Sequence, residues 1–263
     1  MLPFLVNRGD FVIPTFFFMV MFASLATTFF LYFMAPRRGF SQVVVLDIGI
    51  FGTIGGVIGA RLFHVFVEAF WFYRENPLRI FEFWRGGFVG YGAFFGILIA
   101  SIIYLKIRKL PVLDYADFIA SACPLIIFFV RVGCLGAGCC FGKPTAFPLY
   151  LVFNDPTSDA GSKFLGVHLH ATQLYDMLNA TLIFAILNWR HSRKKFSGEL
   201  VLMFFALYAV GRGLIEFLRG DAERGLYFNG LISTSQVVGI INLTVCAILY
   251  IYLYRRAAKK SAA

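Results

Sequence analysis

Charge is scarce in this sequence. Asp, Glu, Lys and Arg make up 14% of 263 residues, where a soluble domain carries about a quarter. A water-facing globule is excluded on that ground, and a mean hydropathy of +0.77 agrees. A basic n-region followed by an A-x-A site is missing, so no removable signal peptide is expected. No internal repeat is visible, which argues against a transporter built from inverted halves. A concentrated basic face is missing too. The net charge is +10, but Lys and Arg sit in short clusters between apolar runs, so they report topology and no nucleic-acid partner is expected. No C-x2-C pair occurs among the five cysteines. The Cys134/Cys139/Cys140 pattern, C-x4-C-C, is not a standard zinc spacing, so neither a metal nor another cofactor is expected.

What the chain does have is long apolar runs. Spanning length is about 20 residues, and runs of that order cover Phe11–Met34, Val43–Val67, Phe88–Tyr104, Val112–Val130, Thr172–Trp189, Leu200–Leu218 and Leu231–Tyr254. This predicts an all-α polytopic membrane protein with about seven transmembrane helices. The clusters at Arg37–Arg38, Lys106/Arg108/Lys109, Arg190/Arg193/Lys194/Lys195 and Arg255/Arg256/Lys259/Lys260 fall on one side. The positive-inside rule makes that side the cytoplasm, with the N-terminus outside and the C-terminus inside. Residues 70–87, 134–171 and 220–230 then form outward loops. The chain is expected to be one membrane domain, residues 1–263, with residues 132–171 as a small extracytoplasmic cap.

Several groups are out of place in lipid. After the apolar run ending at Val130, Arg131 is expected to open a loop carrying Gly133, Gly136, Gly138 and Gly142 with Cys134, Cys139 and Cys140 between them. Glycines let a ligand approach backbone N–H groups, and an arginine at membrane depth wants a cavity, a partner or an anion. A phosphate or oxyanion site and a packing loop with a snorkelling arginine both fit. Tyr208, Arg212, Glu216 and Arg219 share one helix face, either as a structural Arg–Glu pair or as a second cationic site. Arg61, His64 and Glu68 form a similar stripe, within snorkelling reach of the outer interface. Tyr91 is the one hydroxyl-bearing side chain in the Gly-rich stretch Trp84–Gly96, and His170 stands where a helix start meets the cap. Cys123 and Cys246 lie in apolar runs, as packing residues.

With these stretches assembled, the chain resembles the prolipoprotein diacylglyceryl transferases, over most of its length and in order. GARLFHV (Gly59–Val65), ENPLRIFEFWRGG (Glu75–Gly87), VGYGAFFG (Val89–Gly96, with Tyr91 in the family's His/Tyr place and Ala93 for a glycine), HATQLYD (His170–Asp176), GRGLIEFLRGD (Gly211–Asp221) and SQVVGI (Ser235–Ile240) each resemble a family segment. In the signature R-x-G-N-x-x-N-G-E-x-x-G-x-x-T, Arg131, Gly133, Gly138, Gly142 and Thr145 match. Cys134 stands for Asn, Ala137 for a second Asn, and Cys139 for Glu. A polar hydrogen-bonding set has become a thiol set.

The resemblance implies transfer of diacylglyceryl from phosphatidylglycerol to the lipobox cysteine of a preprolipoprotein in the bacterial cytoplasmic (inner) membrane. It implies Arg131 and Arg212 as headgroup contacts, Tyr91 as aligning or proton-relaying group and Glu216 as the residue orienting Arg212. Arg61, Gly133, Cys134, Gly138, Cys139, Cys140, Gly142, His170, Tyr208 and Arg219 are the further lipid- or substrate-binding candidates. A divergent paralogue with another lipid or acceptor, and a thiol-redox, metal or lipid-binding module on the same fold, are the alternatives. A disulfide from Cys134 to Cys139 or Cys140 is expected as a staple in an oxidising outer compartment.

Overall fold

The computed structural model describes residues 4–8, 11–82, 87–220, 226–227 and 232–262. In chain order it holds β1 (Phe4–Arg8), β2 (Phe11–Pro14), α1 (Thr15–Met34), α2 (Gln42–Phe63) continued by a π-helical turn His64–Glu68, and α3 (Phe70–Glu75). Then come α4 (Gly90–Ile107), α5 (Val112–Ala120), α6 (Cys123–Ala137), β3 (Tyr150–Val152), α7 (Asp159–Phe164) and β4 (His168–His170). The chain closes with α8 (Thr172–His191), α9 (Glu199–Glu216), β5 (Leu226–Tyr227), β6 (Ile232–Ser233) and α10 (Thr234–Ala262).

The all-α polytopic architecture is as expected. α1, α2 with its π turn, α4, α5 joined to α6, and α10 are each long and apolar enough to cross a bilayer. α8 and α9, of 20 and 18 residues, have the length but carry Asp176 and Arg190, and Glu199, Arg212 and Glu216. The apolar faces are turned outward: Phe17, Met21 and Leu25 of α1 and Ile248 and Tyr252 of α10 are exposed, which lipid tolerates and water would not.

Two boundaries differ from the sequence expectation. Phe11–Pro14 pairs as a strand instead of starting the first helix. The fourth expected span, Val112–Val130, is interrupted between α5 and α6, where Pro124 occupies the first turn of the new helix and needs no N–H partner there. The Asn188 side chain donates to the Ser121 carbonyl at the break (2.9 Å). α6 then runs to Ala137, past the point where Arg131 was expected to open a loop.

The chain divides into two compact units, residues 28–115 and residues 1–27 with 116–263. In the first, α2 and α4 pack through glycines. A Cβ on Gly55 would lie 2.6 Å from that of Ala100, and one on Gly59 would lie 2.8 Å from the Gly96 Cα. Such small-residue faces let backbones touch where lipid offers no hydrophobic drive. The Tyr104 hydroxyl donates to the Asp47 carboxylate, so this intramembrane acid has its partner.

In the second unit, Ile183 and Leu187 of α8 pack on Leu200 of α9. Asp117 of α5, fully buried, accepts from the backbone N–H groups of Gly198, Leu200 and Val201 at 2.9–3.1 Å. A carboxylate thus caps α9 from another helix, satisfying donors that a helix start leaves orphaned. Lys194 pairs with it at 3.1 Å. Residues 138–171 enclose a small core of their own, Phe141, Phe153, Ala160 and Leu169, under the β3–β4 hairpin. At the start of α10, Ser233 N–H donates to Gln236 Oε1 (3.0 Å) and Gln236 N–H to Ser233 Oγ (3.3 Å), a reciprocal cap.

Candidate active site

The site grows from the last two turns of α6. Arg131 and Cys134 lie three apart on one helix face, and Arg131 Nη1 donates to Cys134 Sγ at 3.9 Å. The helix ends where Gly138 adopts a left-handed conformation (φ 69°), as helix ends favour. Cys140 is left-handed as well (φ 60°), uncommon for a residue with a side chain. These two reversals fold the segment back, and the three sulfurs of Cys134, Cys139 and Cys140 all lie within 4.8 Å of one another. The expected disulfide is not formed: all five cysteines are free. Gly133 is not part of a loop nest. It is helical and packs on α1, where a Cβ would come 2.9 Å from that of Met19.

The first turns of α8 hold this segment. Thr172 Oγ1 donates to the Cys140 carbonyl (2.7 Å) and Gln173 Nε2 to the Cys139 carbonyl (2.8 Å). One turn on, Asp176 Oδ2 pairs with Arg131 Nε at 2.9 Å. Thr172, Gln173 and Asp176 are buried; sequence reasoning gave Thr172 or Gln173 only a capping role at the helix start, which neither takes, and gave Asp176 none. The signal available was Asp176 itself, an acid inside a span, which marks a partner or a site.

The strand-like stretch after Cys140 is laced on both sides. Lys143 N–H donates to the Leu218 carbonyl (2.8 Å) and Gly220 N–H to the Phe141 carbonyl (3.1 Å), while His170 N–H donates to the Lys143 carbonyl (2.9 Å). Gly142 bridges to Arg219, and a Cβ on Gly142 would collide with His170. The end of α9 is thereby drawn to the cysteine segment.

On α9, Arg212 Nη2 pairs with Glu216 at 2.6 Å, as the stripe suggested. Arg212 and Arg219 act on the Asp176 charge after Arg131 does, and Tyr208 acts on both Arg131 and Arg212. Arg131, Arg212, Glu216, Tyr208, Arg219 and the three cysteines are therefore brought together. Asp176 Oδ1, Gln173 Oε1 and Arg212 Nη1 are buried without a hydrogen-bond partner among the described residues. Hydrogen bonds with the Cys134 and Cys139 thiols, then the Arg131 and Arg219 charges, hold the Cys140 thiol below its usual range. Those sulfur contacts and burial push Cys139 up. His170 lies at the edge, 3.4 Å from the Tyr175 hydroxyl.

The remaining candidates belong to the other unit. Arg61 does not snorkel. It is buried and donates to the carbonyls of Arg79 (2.7 Å), Ile80 (3.0 Å), Glu82 (3.2 Å) and Gly87 (3.3 Å), with its guanidinium 5.2 Å from the Tyr73 ring centre. It shapes a cavity of about 170 Å³ with His64, Tyr73, Arg79 and Glu82. His64 pairs with Glu68 at 3.0 Å. Tyr91, in the first turn of α4, is 72% exposed. Trp84, Arg85 and Gly86 lie outside the described residues, as do Asp221 and most of the expected loop 220–230.

The family model described as prolipoprotein diacylglyceryl transferase matches residues 3–252. Among curated relatives, a phosphatidylglycerol–prolipoprotein diacylglyceryl transferase of Clostridium tetani is 32% identical over 86% of this chain and 88% of its own. The second such enzyme of Clostridium perfringens is 29% identical over 89% and 88%, and that of Teredinibacter turnerae 29% over 81% and 72%.

Proposed function

The chain belongs to the prolipoprotein diacylglyceryl transferase family, and on that premise we propose that it transfers diacylglyceryl from phosphatidylglycerol to the lipobox cysteine of a preprolipoprotein. It does so as a multi-pass protein of the bacterial inner membrane, with its N-terminus outside, its C-terminus cytoplasmic and residues 132–171 as an outward cap on a single membrane domain.

The observation that carries this is a buried guanidinium with an open donor. Arg131, Arg212 and Arg219 gather about Asp176, with Glu216 as the other carboxylate, and Arg212 Nη1 has no hydrogen-bond partner among the described residues. An open guanidinium donor buried among charged side chains calls for an anion, and a phosphodiester matches the guanidinium fork. The reaction breaks the glyceryl C–O bond, forms a C–S bond and releases glycerol phosphate. Charge growing on the departing phosphate is what fixed guanidiniums stabilise. Asp176 and Glu216 hold Arg131 and Arg212 in place. Tyr91, assigned by resemblance, handles the thiol proton. Beside the charged face of α9, an apolar cleft of about 380 Å³ lined by Val210, Leu214, Phe217, Ile240 and Leu243 suits an acyl chain.

The test is direct. Purified protein in phosphatidylglycerol vesicles is mixed with a lipobox peptide, and the peptide gains the mass of one diacylglyceryl group. A peptide with Ser in place of its cysteine stays unmodified. No mass gain in phosphatidylglycerol vesicles overturns the proposal.

A further inference from the structure

Cys134 and Cys139, which stand where the family signature has Asn and Glu, and the adjacent Cys140 need an account of their own. Cys134 is buried and Cys139 and Cys140 are partly buried, and their sulfurs lie within 4.8 Å of one another. Sulfurs bound to one zinc at about 2.3 Å stand roughly 3.8–4 Å apart. An inward shift of under about 1 Å suffices to bind such an ion. A disulfide needs an S–S distance of about 2.05 Å and would leave the third sulfur unused.

The surroundings are those of a supported ligand set. Cys139 N–H donates to the Cys134 carbonyl (3.1 Å), and the left-handed Cys140 turns its sulfur back toward the other two. Thr172 and Gln173 fix the carbonyls of Cys140 and Cys139. Such outer contacts orient ligands and are as much part of a metal centre as the ligands themselves. Three thiolates around a divalent ion carry a net charge of −1, and around a monovalent ion −2. Arg131, donating to Cys134 Sγ, and Arg219, whose charge acts on Cys140, offset it. Thiolate sulfur selects soft or borderline cations, zinc or copper(I), over magnesium or calcium. The spacing rule for zinc ligands presumes sulfurs on one short loop. Here one comes from the last turn of a helix and two from the reversal after it. Neither His168 nor His170 belongs to the cluster.

We propose that Cys134, Cys139 and Cys140 form a three-thiolate binding site for a thiophilic metal ion of the zinc or copper(I) class. The site shares Arg131 with the proposed phosphate contact, but its occupancy is measured without any transfer reaction.

The full chain is purified in detergent under reducing conditions without chelator. Mass-spectrometric metal analysis then finds about one equivalent of zinc or of copper per chain, and the element found distinguishes the two. After chelation, added cobalt(II) produces an intense sulfur-to-metal charge-transfer band. Cys134→Ser, Cys139→Ser and Cys140→Ser each abolish the stoichiometric metal and weaken the band, while Cys123→Ser and Cys246→Ser do not. Should the serine variants fail to fold, alkylation of the native wild type serves instead. Peptide mapping finds Cys134, Cys139 and Cys140 protected in the metal-loaded protein and modified after chelator. A fully reduced protein with no bound zinc or copper and no cobalt charge-transfer band overturns the proposal. So does a Cys134–Cys139 or Cys134–Cys140 disulfide in the isolated protein that, once reduced, still binds no metal.

Discussion

Arg131 Nε and Asp176 Oδ2, 2.9 Å apart, tie the end of α6 to the second turn of α8. The pair is almost wholly shielded from solvent, with side-chain exposures of 12% and 3%. Removing one partner of a buried pair strands the other, at a cost of about 3–5 kcal/mol. Asp176→Asn is therefore expected to lower both the unfolding temperature in detergent and the rate of diacylglyceryl transfer. Asp176→Glu, which restores the charge, should recover most of each. Equal stability of Asn and Glu variants would remove the ion pair from the account.

Replacing Arg131 or Arg212 by Ala is expected to reduce transfer by about 10²- to 10³-fold, the effect of losing one aligned donor to a growing negative charge. Lys in either place should do little better, because an ammonium lacks the planar fork. Transfer rates in phosphatidylglycerol vesicles decide it, and near-normal rates with Lys at both positions would rule out bidentate phosphate contact.

Arg61 makes a different prediction. Its donors are taken up by carbonyls of residues 79–87, so Arg61→Met leaves buried acceptors bare at about 1–3 kcal/mol each. Protease cutting between residues 70 and 87 should appear in the variant under conditions that leave the wild type whole. An unchanged digestion pattern with lost activity would instead give Arg61 a direct part in the reaction.

Asp117→Ala should lower the unfolding temperature while leaving the substrate affinity of the surviving folded fraction unchanged. The cap it supplies to α9 touches none of the site residues, and remote capping is a stability effect of about 1–2 kcal/mol. A raised KM with unchanged melting would contradict this assignment.

A reporter fused after Ala263 should be active only where it reads the cytoplasm. Activity restricted to the outer side would invert the topology taken from the basic clusters.

Much of the fold could be read from the chain because lipid imposes one rule, long apolar runs, and each of the seven expected stretches is mostly helical, although the first and the seventh begin in strands. Boundaries were harder. Gly133 and Gly136 look like loop residues, yet α6 passes through them because close packing on α1 uses Gly133, and the helix stops only at the left-handed Gly138. The cationic half of the site was visible as charges inside spans and as the four-residue spacing of Tyr208, Arg212 and Glu216. Its partner half was not. Thr172 and Gln173 look like ordinary helix-start residues, and their hydrogen bonds go to carbonyls more than thirty positions back in sequence. Arg61 was misjudged for the same reason, since only the folded outer loop supplies its acceptors. The cysteine cluster needed two left-handed turns that no residue pattern announces.

The excursion between Thr145 and His168 is closed at its own neck. Thr145 N–H donates to the His168 carbonyl (2.9 Å), and Pro144 bridges to Leu169. The chain leaves and returns at almost the same point, yet the intervening residues are anchored to the segment beneath: Ala160 N–H donates to the Gly138 carbonyl (2.9 Å) and Phe153 packs in one core with Phe141. Exchanging residues 146–167 for a segment that keeps the neck but lacks those two contacts should therefore loosen the turn that carries Cys139 and Cys140. A chimera carrying a foreign segment at this neck should fold around the same charged core only where that segment brings its own donor for the Gly138 carbonyl and an apolar side chain for Phe141.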